Sequence, residues 1–212
     1  MCIRDRFRAR LEAWQVRSPV VKFNAALDRL PTFTAAPGES FPYRSMITVT
    51  HGMEAAQAAF DRCQAGEPAV GFGEVYFQTG YDPSPAPEGK HLISVFGQYG
   101  PYELAEGTWD SRRAEVQQQF VDLIEDFAPD FGDCIAHAEV LGPPDIEARV
   151  GLTGGHIFQG ETMPDQMWEH RLTPRTPIDG FYFCGAATHP AGSVIGLNGR
   201  NAADAVLADT AD

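Results

Sequence analysis

The carboxyl-terminal stretch, residues 178–209, constrains the fold more than any other part of the chain. Residues 181–184 form an apolar and aromatic run that ends at Gly185, which predicts a short buried strand. Two glycines and a proline within residues 186–196 allow the following backbone to bend and to approach another group closely. A helix pattern then begins, with Asn198 as its predicted N-cap. One apolar side of this helix is predicted to consist of Ala202, Ala203, Val206 and Leu207.

The order of strand, glycine-containing loop and helix has two interpretations. It directs a helix N-terminus and free backbone N–H groups toward one point, where a phosphate or another electron-rich ligand group is stabilised. It is also a common way to connect a strand to a helix with no ligand involved. The pattern alone leaves both interpretations open.

The composition is typical of a globular protein without a nucleic-acid or membrane surface. At 212 residues, with 43% hydrophobic and 21% charged residues, the chain can form one large domain or two small ones. A net charge of −13 disfavours nucleic acid and anionic membranes, because both are bound by clustered Lys and Arg. No apolar run approaches the ~20 residues that span a bilayer, so no transmembrane segment is predicted. We expect a cytoplasmic protein, or one of the mitochondrial matrix if the source is eukaryotic.

The spacing of reactive residues disfavours several kinds of site. The scattered cysteines contain no C-x-x-C pair, so neither a zinc ribbon nor a thioredoxin-type redox pair is predicted. Cys184 is expected to be a small apolar filler of the buried strand. The run 192–196, GSVIG, is not G-x-S-x-G, and neither H-E-x-x-H nor a Walker loop occurs. No metal site is predicted.

The remainder of the chain is predicted to form several strands and helices. Strands are predicted over residues 20–31, 45–50, 70–79, 91–99 and 134–141. The clearest helix pattern covers residues 110–127, with Asp or Ser as its cap and a proline beyond its end. Lys22 is expected on the solvated face of an edge strand, with a ligand contact as the alternative. Gly97 lies inside a strand pattern, which predicts a bulge or the close approach of another group.

Four long motifs resemble one known family. They are SPVVKFNAALDRLP (18–31), HLISVFGQYGPY (91–102), GLTGGHIFQGETMPDQMW (151–168) and GFYFCGAATHPAGSVIGLNGRNAA (180–203). In this order they resemble a branch of the phytoene desaturase-like flavoprotein oxidoreductases, from about residue 18 onward. The resemblance implies an α/β fold, namely the C-terminal part of a two-domain, FAD-binding (Rossmann-type) flavoprotein with a mixed-sheet substrate domain. It divides the chain into an N-terminal remnant (1–17), a substrate domain (18–170) and a C-terminal segment of the FAD-binding domain (171–212).

The resemblance also implies which residues lie near the cofactor. Those implied to bind FAD are Gly185, Ala186, Gly192, Ser193, Val194, Ile195, Gly196 and Leu197. The segment with Gly154, Gly155 and His156 is implied to lie beside the flavin and the substrate, and the alternative is a glycine-rich turn without a ligand. The wider superfamily often has a Gly-Asp pair where this chain has Gly185-Ala186, a departure that removes one side-chain contact to the ribityl group. His189 is either a proton carrier or a donor that stabilises its loop.

The implied function is FAD-dependent oxidation, with hydride removal from a C–C or C–N bond of a largely apolar small molecule. Two alternatives stay open: a non-catalytic interaction or regulatory module, and a flavin-dependent isomerase or saturase of polyenes. The dinucleotide fingerprint G-x-G-x-x-G is absent from the sequence. The expected partner is therefore a missing N-terminal half of the same polypeptide. Residues 1–6 are interpreted as a sequencing or cloning artefact.

Overall fold

The computed structural model describes residues 3–17, 19–192 and 194–211. These residues form two compact units, which are considered separately. The sheet unit is Pro19–Ile146, and the terminal unit combines Met1–Ser18 with Glu147–Asp212. The predicted domains divide the chain at other points. The compact units are defined by contacts between residues, whereas the predicted boundaries come from the resemblance to a family. The predicted boundaries therefore stay a prediction.

The sheet unit contains a five-stranded sheet, and all five predicted strands form. The strands are β1 (Val20–Leu27), β2 (Ile47–Thr50), β3 (Phe72–Phe77), β4 (His91–Gln98) and β5 (Ile135–Leu141). Their order is β2-β3-β4-β1-β5, and every neighbouring pair is antiparallel. The expected mixed sheet is therefore wrong. Burial alternates along β1 and β3, which is the pattern of an antiparallel sheet with one face packed in the core and the other face half-buried.

The packed face of the sheet forms the core together with one long helix. The described helices are α1 (Ile3–Glu12), α2 (Met53–Gln64), α3 (Trp109–Glu125), α4 (Phe131–Cys134), α5 (Pro143–Val150) and α6 (Leu197–Thr210). The apolar stripe of α3, including Val116, Phe120 and Ile124, is buried against alternate residues of the strands. Phe23 of β1 and Phe120 stack with their ring centroids 5.3 Å apart. The predicted amphipathic helix is confirmed as part of the scaffold.

Lys22 does not lie on an edge strand, because β1 has β4 on one side and β5 on the other. Its side chain projects from the face opposite the core and is half-buried. Burial lowers the pKa of the Lys22 ammonium, and the nearby Glu74 carboxylate opposes that change. The prediction of an edge position was wrong because strand order depends on partners distant in sequence, which a local pattern does not report.

The predicted strand at residues 181–184 does not form. In the described part of the terminal unit, this segment makes only an isolated bridge between Tyr182 and Arg175. Phe181 is 47% exposed and Cys184 is exposed, so neither the buried strand nor the buried thiol is confirmed. A strand buried on both faces needs a neighbouring strand on each side and covering layers. The described residues around this segment provide one isolated bridge and a ring contact between Phe7 and Phe183, but no neighbouring strand.

Helix α6 forms close to its predicted place but begins differently. Its N-cap is Gly196 in a left-handed conformation, with no capping side chain. Asn198 is not the cap, because its amide donates instead to the backbone oxygen of Thr188 at 2.8 Å. The buried side of α6 consists of Ala202 and Ala205. The predicted apolar face is therefore only partly correct, and Leu207 is 65% exposed.

Candidate functional site

The N-terminus of α6 lacks a capping side chain and is surrounded by exposed apolar groups. Gly196 has φ 72° and supplies no side-chain acceptor to the first N–H groups of the helix. Val194 is fully exposed and has φ 57°, a conformation that a β-branched residue rarely adopts. Ile195 is 55% exposed. Ser193 lies outside the described residues. Among the described residues, no side chain caps the first N–H groups of α6, and these groups lie beside apolar contact area.

The glycines around this helix start differ in what surrounds them. A Cβ built on Gly185, Gly196 or Gly199 meets no atom within 4 Å. A Cβ on Gly192 would instead lie 2.8 Å from the Phe158 ring. The backbone at Gly185 and Gly196 therefore faces open space, whereas Gly192 is needed for packing inside the terminal unit.

Thr188 holds the loop between Gly185 and α6 together. Its side chain is completely buried, and its hydroxyl donates to the Gly185 carbonyl at 2.8 Å. The Asn198 amide donates to the Thr188 backbone oxygen and lies 3.1 Å from the hydroxyl. The loop and the first turn of α6 are thus fixed to each other. The sequence pattern predicted a capping role for Asn198 and missed this contact, although an Asn at a helix start makes side-chain hydrogen bonds of both kinds.

The second predicted segment uses its glycines for internal packing. Gly154 and Gly155 both have positive φ, at 64° and 68°. A Cβ on Gly154 would lie 2.2 Å from the Val16 carbonyl oxygen, and one on Gly160 would collide with the Trp14 indole. At Gly154 and Gly160, the space beside the glycine therefore contains residues 14–16 of the same unit. A ligand contact of Gly154 and Gly155 stays a prediction.

His156 is held as a buried, neutral imidazole. It is 6% exposed, and its Nδ1 accepts a hydrogen bond from the Phe158 amide at 3.1 Å. Burial lowers the pKa of His156, and the Arg171 charge lowers it further, whereas Glu161 opposes the change. Because Nδ1 accepts, the proton of the neutral ring is assigned to Nε2. His156 can donate a hydrogen bond from Nε2 but is a poor site for positive charge.

His189 is exposed and is fixed by several hydrogen bonds. Its Nδ1 lies 3.3 Å from the Trp168 carbonyl oxygen, and its backbone N–H donates to Leu172 at 2.9 Å. The Asn201 amide donates to the His189 carbonyl at 3.2 Å. When Nδ1 carries the proton it donates to Trp168, and Nε2 is then free to accept a proton. These contacts fit the loop-stabilising interpretation and leave the proton-carrier interpretation possible.

A groove of about 740 Å³ lies beside this loop, within the terminal unit. Trp168, Arg171, Arg175, His189 and Asn201 are among the residues that line it. Arg171 was not among the predicted site residues. Arg171 is nevertheless among the most completely buried of the described residues, at 1% exposure. An arginine in a run of polar residues and prolines gives no local signal of burial.

The described residues contain no group of three or more His, Cys, Asp and Glu side chains placed to hold a metal ion. Within the same ranges, no helix is both long enough and apolar enough to cross a membrane.

Comparisons with known proteins place the chain among relatives of one kind. No family model matches the chain. Two proteins named pyridine nucleotide-disulfide oxidoreductase domain-containing protein 2 are similar to it. The one from Rattus norvegicus is 37% identical over 217 residues, and the one from Mus musculus is 36% identical over the same length. Each match covers 96% of this chain and 37% of the relative.

A more distant relative is one of the limonene dehydrogenase subunits of Castellaniella defragrans. It is 26% identical over 215 residues, which cover 95% of this chain and 39% of that protein. The chain therefore spans well under half the length of the curated relatives that it matches. The resemblance predicted from the sequence is confirmed, because nearly the whole chain is homologous to the proteins named pyridine nucleotide-disulfide oxidoreductase domain-containing protein 2, and the chain belongs to their family.

Proposed function

We propose that the chain is part of an FAD-dependent oxidoreductase of the dehydrogenase or desaturase type. The names of the two mammalian relatives support an oxidoreductase. The substrate is proposed to be a largely apolar small molecule. The name of the bacterial relative supports this, because limonene is a hydrocarbon.

The observation that carries the proposal is the uncapped start of α6 beside open glycine backbone. An isoalloxazine ring has apolar faces and an electron-rich edge that becomes anionic on reduction. The exposed Val194 and Ile195 fit such a face, and the free N–H groups with the positive end of the helix dipole fit such an edge. The open space at Gly185 and Gly196 leaves room for a ligand against the backbone.

The roles of the individual residues follow from this arrangement. Gly185 and Ala186 would let the ribityl-pyrophosphate pass close to the backbone, and the backbone of residues 194–197 would face the pyrimidine edge of the ring. Bound FAD supplies the hydride acceptor. His189 would move a proton through Nε2 while Nδ1 is hydrogen-bonded to Trp168. The His156 imidazole would supply a neutral donor from Nε2.

The described residues form one wall of such a site. The phosphate-binding fingerprint would come from a further part of the polypeptide, since the matched relatives are much longer than this chain. We expect the 212-residue chain alone to bind FAD weakly and to be inactive. The two alternative functions, a non-catalytic module and a polyene isomerase or saturase, lead to different expected results in the experiments below.

The first experiment is long-read sequencing upstream of the Met1 codon, followed by purification of the product of the complete reading frame. An in-frame extension with G-x-G-x-x-G and a yellow protein with a flavin spectrum are expected. A colourless full-length product would reject the oxidoreductase and support the interaction module. If the protein contains flavin, product analysis with a polyene substrate separates net oxidation from isomerisation or saturation.

A matched pair of substitutions tests the proposed flavin surface at the start of α6. Ile195→Asp replaces apolar contact area of the proposed flavin surface by a hydrated carboxylate, so we expect lower flavin content in the full-length protein. Leu207→Asp makes the same change at the other end of α6, at a residue that is similarly exposed. It should leave flavin content unchanged. Equal flavin content in both variants would contradict the assignment of this surface.

A further inference from the structure

The Arg171 guanidinium connects two segments of the terminal unit that are separate in sequence. Its Nη1 donates to the carbonyls of Gly160, Glu161 and Gln166, at 3.3, 3.2 and 3.3 Å. Its Nη2 donates to the Phe158 carbonyl and, at 2.8 Å, to the Ala186 carbonyl. Ala186 belongs to the loop before α6, whereas the other acceptors belong to residues 158–166. One side chain therefore joins the proposed flavin-facing loop to the glycine-rich segment.

The charge of Arg171 has no counter-ion within the described part of the chain. None of the carboxylates in those ranges forms an ion pair with Arg171, and its Nε is buried without any hydrogen-bond partner there. The Trp14 indole lies 5.8 Å from the guanidinium carbon and provides a cation–π contact. Burial lowers the pKa of Arg171, yet a guanidinium stays protonated in proteins. A single, uncompensated positive charge is thus fixed beneath the loop.

Burial of the Arg171 charge without a counter-ion lowers the stability of the folded protein. Five carbonyl dipoles offset part of the cost of burying the charge, but an unpaired buried donor remains. A carboxylate partner would cancel the electrostatic potential that the guanidinium creates around Ala186. Without that partner, the potential favours a negatively charged group on the open side of the loop.

We propose that Arg171 is a positioning residue for the cofactor, which holds the loop at residues 185–192 and stabilises the anionic, reduced form of the flavin. This inference rests on the proposed function. The hydrogen bonds to Ala186 and to residues 158–166 fix the loop, and the uncompensated charge acts across it. Arg171 does not itself touch the reacting atoms.

The hydrogen bonds are tested by hydrogen–deuterium exchange on the 212-residue chain. The loop amides to follow are those of Thr188, His189 and Ala191, which donate to Gly185, Leu172 and Thr188. Arg171→Met retains the length of the side chain but removes every donor, and we expect these amides to exchange at least about tenfold faster. Arg171→Lys retains fewer donors than arginine, so the exchange rate of the loop amides should lie between those of the wild type and Arg171→Met. The strands of the sheet unit and helix α6 of the terminal unit report whether each unit is folded in each variant.

Arg175→Met is the matched control. Arg175 lies in the same unit and pairs with Asp209 at the surface, with Nε 3.0 Å from the carboxylate. Its loss should leave the loop amides unchanged. Unchanged loop exchange in Arg171→Met, with the sheet unit protected, would overturn the positioning role whether or not the protein binds flavin.

The charge is tested on the flavin-containing full-length protein by its reduction potential. If Arg171→Met weakens binding of the two-electron reduced flavin about tenfold relative to the oxidised form, the potential falls by about 30 mV. Arg171→Lys keeps the charge and should keep the potential near the wild-type value even where the loop exchanges faster. Equal potentials in all three proteins would overturn the electrostatic part. A colourless wild-type protein would reject the proposed function, and the exchange result would then decide whether Arg171 holds the loop.

Discussion

At the scale of single residues, Gly97 shows that the reason for a glycine inside a strand pattern becomes visible only in the folded structure. The sequence predicted a bulge or a close approach at this position. Pairing between β1 and β4 runs without interruption through Val21 and Gly97, so the strand has no bulge there. The close approach is confirmed, because a Cβ on Gly97 would lie 2.3 Å from the Phe120 ring. Gly97 is therefore required by the packing of α3 on the sheet.

Gly97→Ala should destabilise the protein by about 1–3 kcal/mol, because the added methyl group overlaps the fully buried Phe120 ring. Urea unfolding monitored by circular dichroism measures the change. Gly185→Ala is the control, since a Cβ there meets nothing within 4 Å and its φ is not positive. It should leave the unfolding midpoint of the 212-residue chain unchanged. A similar midpoint for both variants would show that the Phe120 ring can shift away.

At the scale of elements, α3 shows that the position of a helix is easier to predict than its first residue. The cap was predicted to be Asp or Ser, but the N-cap is Thr108. The Thr108 hydroxyl accepts from the Ser111 amide at 3.3 Å, and the Ser111 hydroxyl lies 2.9 Å from the Thr108 amide. The two residues form a reciprocal capping box, with Ser in the place where Glu or Gln is usual.

Thr108→Ala should lower the free energy of unfolding by about 1 kcal/mol, because one N–H group of the first turn loses its acceptor. Ser111→Ala should have a smaller effect of the same sign. The two effects should add approximately in the double substitution, because alanine keeps the backbone N–H from which the other side chain accepts. Denaturant unfolding of the four proteins gives the coupling energy. Wild-type stability of Thr108→Ala would contradict the capping role of Thr108.

At the scale of the whole molecule, the amino-terminal residues form part of the terminal unit. The Arg10 guanidinium donates to the His170 carbonyl at 2.8 Å, and the Trp14 indole donates to the Gln159 carbonyl at 2.9 Å. The Gln166 side chain exchanges two hydrogen bonds with the backbone of Gln15, at 2.8 and 2.9 Å. Residues 10–17 therefore complete the segment that contains Gly154, His156 and Arg171.

Two deletions separate the residues interpreted as an artefact from those that the unit needs. Removal of residues 1–6 keeps every contact named above, so hydrogen exchange of residues 158–171 should not change. Removal of residues 1–17 takes away the Arg10, Trp14 and Gln15 contacts, and the same amides should exchange faster. The sheet unit should stay protected in both proteins, because its core is formed within Pro19–Ile146. Slow exchange after the longer deletion would contradict the structural role of residues 10–17.

Local sequence patterns were sufficient to predict the five strands and the long helix of the sheet unit, and long motifs carried the resemblance to the relatives. The patterns of β1, β4 and α3 depend on neighbours a few residues apart, so they are visible in the sequence without knowledge of the fold. The long motifs around residues 18, 91, 151 and 180 carried the resemblance that the comparisons confirm. The open loop before α6 was also located, since glycines and a helix start are local signals.

Which residues meet in space depends on the folded chain alone. The antiparallel order of the strands, the interior position of Lys22 and the exposure of residues 181–184 follow from partners far away in the sequence. Arg171 is the clearest case, because its burial results from carbonyls of two separate segments and from Trp14 near the amino terminus. A hydrogen bond to a backbone carbonyl requires no particular side chain at the acceptor residue. Such a cluster therefore leaves no pattern in the sequence and appears only when the chain has folded.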